Sequence, residues 1–94
     1  MSRAYWTRLA QADLVAIEDY YETRDPDFFL RLQRRAMAAS RFLADHPRAG
    51  PEIELGTRKW SMPTTDFIMV YRIVGAAIEV LRVYHTAQNW RAEP

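Results

Sequence analysis

FIMVYRIVGAAIEVLRVYH, residues 67–85, decides the fold. Phe67 to Val74 is almost wholly β-branched, aromatic or long apolar, and Ala77 to Tyr84 repeats that composition. Such runs favour strands over helices. Gly75-Ala76 interrupts them, and glycine accepts the positive φ that tight hairpins require. A two-residue turn there sets opposite each other residues whose numbers sum to 151, so Arg72 faces Glu79 as a cross-strand charge pair. One face then carries Phe67, Met69, Tyr71, Ile73, Ile78 and Val80, and makes the better core. The other carries Ile68, Val70, Arg72, Leu81, Val83 and His85, half apolar and half charged, a surface suited to meeting something.

Outward from the hairpin, the chain gives cover for one of those faces. Ala4-Tyr5-Trp6 is a strand candidate. Thr7 can cap a helix, with Ala10, Leu14, Ile17 and Tyr21 on one stripe and an end near Thr23 or Arg24. Asp25-Pro26 opens a second helix, carrying Phe28, Leu32, Ala36, Ala39 and Leu43 at helical spacing. His46-Pro47 stops it. After the loop Pro47 to Pro51, residues 53–62 read as one strand, with Gly56 marking a bulge. Pro63 to Asp66 turns the chain into the hairpin. The order is β-α-α-β-β-β. The sequence predicts a two-layer α+β domain spanning residues 1–94: a helical hairpin on one face of a mainly antiparallel four-stranded sheet, the first strand joining its edge.

Ninety-four residues make one domain, and 49% hydrophobic content supports a core. Zero cysteines exclude disulfides and thiolate metal sites, which fits a reducing cytoplasm. The longest apolar run, Phe67 to Tyr71, is too short to span a membrane. The net charge of +1 conceals segregation. Asp13, Glu18, Asp19, Glu22, Asp25 and Asp27 make the first third acidic. Arg31, Arg34, Arg35, Arg41 and Arg48 make the next stretch basic, with Asp45 alone against them. That arginine run is either a surface for an acidic partner or nucleic acid, or a solvated helix face.

Several motifs follow one another along the chain: Ala10-x-x-Asp13-Leu14-x-x-Ile17-x-x-Tyr20; Leu43-Ala44-Asp45-His46-Pro47 followed by Gly50; Arg58-Lys59-Trp60; Val70-Tyr71-Arg72-Ile73; and Ile78-Glu79-Val80-Leu81-Arg82-Val83 with His85. Their order and spacing resemble the ParE/RelE superfamily of bacterial type II toxins, and the short polar tail and long second helix are closer to ParE than to RelE. The resemblance implies a cytoplasmic growth-inhibiting toxin with no cofactor, neutralised by a cognate antitoxin with which it forms a hetero-oligomer. ParE-like members inhibit DNA gyrase. RelE-like members cut mRNA on the ribosome, and a non-toxic interaction module of the same fold is a further alternative. RelE-like nucleases are typically rich in Lys near the site; this chain has one, Lys59, and no Tyr after Tyr84.

Under the nuclease alternative the catalytic groups are Arg72, Arg82 and His85. His85 is the residue type suited to general acid–base work near neutrality, and Arg82 would stabilise a developing phosphorane. Each has a structural alternative: a pair with Glu79, a structural ion pair, a hydrogen bond at a strand end. Target-binding candidates are Arg58, Trp60, Arg72, His85 and Trp90, tryptophan being enriched at hot spots. Trp6 reads as core. Ile68, Val70, Leu81 and Val83 would form an apolar patch on the uncovered sheet face, for an amphipathic antitoxin helix, the chain's own tail or a second copy. Two distant histidines without cysteine argue against a metal site.

Overall fold

Thr7 is where the chain turns from sheet to helix. The computed structural model describes residues 3–87. In it β1 (Arg3–Trp6) ends one residue before α1 (Arg8–Tyr21). The Thr7 hydroxyl accepts from the backbone N–H of Ala10 and so caps α1, and it donates to the carbonyl of Leu81. Residues Asp25 and Pro26 start α2 (Pro26–Asp45) as expected, the Asp25 carboxylate accepting from the Phe28 N–H. Helix α1 ends at Tyr21, two to three residues earlier than its composition suggests, with Glu22 as its C-cap.

Among the described residues the sheet has five strands: β1, then β2 (Glu52–Glu54), β3 (Thr57–Ser61), β4 (Phe67–Val74) and β5 (Ala77–His85), in the spatial order β1-β5-β4-β3-β2. The expected single strand over 53–62 is two. Gly56 adopts φ +75° and its N–H bonds the Glu52 carboxylate, so the chain reverses at Leu55-Gly56 instead of bulging. Leu55 at this turn is fully exposed. β1 pairs parallel with β5, and all the other pairs are antiparallel.

The hairpin begins as its sequence dictates. Gly75 takes φ +60° at the first central position, where a type II′ turn needs it, and Val74 faces Ala77. Arg72 faces Glu79 and Tyr71 faces Val80, but the next pair is Val70 with Arg82. Leu81 is an extra residue, a β-bulge, and everything after it changes face. Val83 therefore lies opposite Met69 on the helix side, not on the outer face. His85 lies opposite Phe67 and also turns to the helix side. Tyr84 takes the outer place.

The helices cover one face. Leu32, Ala36 and Leu43 of α2 are fully buried against Met69, Tyr71, Ile78 and Val80. The alanines let the helix backbone lie close to the sheet, and each large apolar side chain contributes roughly 1.5–3 kcal/mol by leaving water. Trp6 packs at the margin of this core and donates its indole N–H to Ser40, whose hydroxyl in turn donates to the Ala36 carbonyl. The buried hydroxyl is thereby satisfied. The opposite face carries a smaller cluster of Ile68, Val70 and Tyr84, flanked by Ile53 and Leu81.

Candidate functional site

Beyond Trp6, β1 no longer covers β5, and the exposed edge of β5 needs another partner. Asp13 of α1 supplies it. One carboxylate oxygen accepts from the Val83 N–H at 2.9 Å, standing where a neighbouring strand's carbonyl would be. The same carboxylate holds Arg82 through Nε at 2.8 Å and Nη2 at 3.0 Å, a bidentate pair. The Arg82 guanidinium also lies 4.8 Å from the centre of the Tyr84 ring. Sequence inspection placed Asp13 only off the helical stripe and in a motif. Its role depends on the crossover that lays α1 along β5, a contact between residues 69 positions apart.

A second polar group ties the α2–β2 loop to the sheet. The Tyr71 hydroxyl donates to the Pro47 carbonyl at 2.7 Å and accepts from the Gly50 N–H at 3.0 Å. Arg58 donates to the Gly50 carbonyl at 2.7 Å. Burial pushes the Tyr71 pKa above its ordinary value, against the opposing pull of the Gly50 hydrogen bond and the Arg58 charge. Gly50 is required by close approach: a Cβ there would collide with the Lys59 carbonyl and lie 2.7 Å from the Tyr71 hydroxyl.

The remaining candidates scatter. Arg72 bonds Glu79 at 2.7 Å near the hairpin turn, half exposed. His85 sits at the far end of β5. Its ring meets Phe67 edge-on, its Nδ1 accepts from the Ala87 N–H, and it helps line a cleft of about 440 Å³ with Asp13, Tyr20 and Tyr21. Six residues of β5 separate Glu79 from His85, roughly 20 Å at the usual rise, and Arg72 and His85 belong to opposite faces. Arg72, Arg82 and His85 therefore do not converge on one phosphodiester. Trp60 stacks on Phe42 with ring centres 5.3 Å apart, at the margin of the helix-side core. Arg58 is engaged with the loop, and Trp90 lies outside the described residues.

The expected apolar patch is also altered. Ile68 and Val70 are only 6% and 9% exposed, and Val83 belongs to the helix-side core. Of the four residues, Leu81 alone is half-buried on the outer face. Apolar surface is instead exposed on the helical layer, at Val15, Leu30 and Met37. Among the described residues no group of three or more His, Asp or Glu is placed to hold a metal ion. No helix is long and apolar enough to cross a membrane.

Residues 4–90 match the family model described as the ParE toxin of the type II toxin–antitoxin system parDE. Among solved structures, the chain is similar to one from the chromosomal ParDE toxin–antitoxin system of P. aeruginosa. That match has 30% identity and a TM-score of 0.75, and covers 90% of this chain and 95% of the other. It also shares its fold with a chain of the RelBE2 toxin–antitoxin complex of Mycobacterium tuberculosis, at 22% identity and a TM-score of 0.56, with 93% of each chain covered. No curated protein matches.

Proposed function

Because the chain belongs to the ParE toxin family of type II toxin–antitoxin systems, we propose that it inhibits growth in the cytoplasm by binding DNA gyrase, and that a cognate antitoxin neutralises it in a hetero-oligomer. The observation carrying this choice is the dispersal of Arg72, Arg82 and His85 over two faces and some 20 Å of β5. Cutting RNA through its 2′-hydroxyl needs a base, an acid and a cation around one phosphate, and geometry precedes pKa in that test. Binding has no such demand. Arg72, half exposed beside the hairpin turn, and His85, at the mouth of the aromatic cleft, are the side chains through which the target is met.

The test uses the purified chain in two assays. Added to gyrase and relaxed plasmid, it is expected to block supercoiling. Added to translating ribosomes, it is expected to leave mRNA intact. Unimpaired supercoiling together with codon-linked mRNA cleavage would overturn the proposal in favour of a ribosome-dependent endonuclease. Normal growth of cells producing the chain without any antitoxin would reduce it to a non-toxic interaction module.

A further inference from the structure

The arginines of α2 are more than a count. Arg31, Arg34, Arg35 and Arg41 line a shallow trough of about 740 Å³, together with Met37 and Ala38. Among the described residues none of the four guanidinium groups has a carboxylate within 4 Å, and the ion pairs Arg72–Glu79 and Arg82–Asp13 employ other arginines. Like charges three and four positions apart on a helix repel. A folded chain that keeps four such cations together without a carboxylate at ion-pair distance presents a surface suited to an acidic ligand.

We propose that this trough docks an acidic amphipathic helix of the antitoxin. Its carboxylates pair with Arg31, Arg34, Arg35 and Arg41, and its apolar residues rest on Met37 and Ala38. The inference depends on the toxin–antitoxin reading above and adds the place and chemistry of the contact. Three features choose this occupant. The cations span ten helical rises, about 15 Å, and a partner helix of the same rise keeps its carboxylates in step with them over that length. The floor is apolar, with Met37 39% exposed and continuous with a second depression containing Leu14, Val15 and Phe29. Glu18 lines that second depression, so an amphipathic helix meets it with its apolar side and keeps its carboxylates over the trough, whereas a polyphosphate, charged along its whole length, would be repelled there.

The probe is the protein encoded by the reading frame adjoining this chain's own, produced with the chain and purified as the complex. R34E/R41E is expected to weaken the complex at least 100-fold by calorimetry and to flatten its dependence on NaCl between 0.1 and 0.5 M. M37E is expected to weaken it about tenfold through the apolar floor. Circular dichroism checks folding. If the double reversal unfolds, R34Q and R41Q, each expected to cost about tenfold, decide in its place. Affinity within threefold of wild type in all variants would overturn the inference while leaving the toxin–antitoxin reading intact. Failure of the wild-type chain to form the complex would overturn that reading, and this inference with it. Binding of a 20-base-pair duplex, lost in R34E/R41E with the complex unaffected, would assign the trough to nucleic acid and overturn the proposal. So would a dimer of the chain alone, lost in R34E/R41E with the complex again unaffected.

Discussion

Arg72 meets Glu79 at 2.7 Å and Arg82 meets Asp13 at 2.8 Å, yet the two pairs hold the two ends of β5 in different ways. The first joins directly opposed residues of one hairpin, and its side chains are 53% and 29% exposed. Water screens it, and two long side chains lose rotamer freedom to make it. The second joins residues 69 apart, with side chains 21% and 16% exposed. It is bidentate, and its carboxylate also satisfies a backbone N–H on an open sheet edge. Nearly equal distances thus conceal unequal worth. What separates the pairs is burial and the number of groups left unpaired when one partner is removed.

The largest effect should follow Asp13→Ala. It removes the bidentate partner of Arg82 and the acceptor of the Val83 N–H together, and urea denaturation should show a loss of about 2–3 kcal/mol. A loss near zero would erase the contrast between the two ends. Tyr71→Phe tests a third polar tie under the same logic. It leaves the Gly50 N–H and the Pro47 carbonyl without their partner and should cost about 1–2 kcal/mol. Its pH dependence sharpens the test. A tyrosine whose folded pKa is raised contributes stability that is present below the unfolded value near 10 and is lost as pH rises through the higher folded value. Wild type should therefore lose stability above pH 10 by an increment that Tyr71→Phe lacks, as thermal melts across that range would record. Arg82→Met keeps the stem and leaves Asp13 bonded to Val83, so roughly 1 kcal/mol should suffice. Arg72→Ala should cost less than about 1 kcal/mol, and 1 M NaCl should remove most of the difference. Its larger consequence should be weaker gyrase inhibition in the supercoiling assay.

Local chemistry announced much of this architecture. Thr7, Asp25-Pro26 and His46-Pro47 punctuate the helices through groups that act within one turn. Gly75-Ala76 fixes the hairpin because only particular turns join strands two residues apart. The upper half of β5 follows directly. The bulge at Leu81 was not legible, since apolar residues occupy both phases: Leu81 and Val83 continue one alternation, while Val80 and Val83 belong to another. That single extra residue moved Val83 and His85 to the helix side, took Val83 out of the expected apolar patch and set His85 on the face opposite Arg72. The split of residues 53–62 was hidden likewise, because Gly56 fits a bulge or a turn equally well until its φ is known. Asp13 and the Tyr71 hydroxyl escaped notice because their partners, Val83, Pro47 and Gly50, are set by the tertiary path and by no local pattern.

The parallel seam between β1 and β5 has a consequence for synthesis. Arg3 is matched to Ala77 and Trp6 to Val80, so the opening strand finds its lasting neighbour only in the closing hairpin, more than 70 residues later. Contacts so distant along the chain form late, after the loop-closure entropy of everything between has been met. While the polypeptide leaves the ribosome, β1 must wait until β5 has emerged. A message cut short before β5 yields a fragment in which β1 has no strand to pair with.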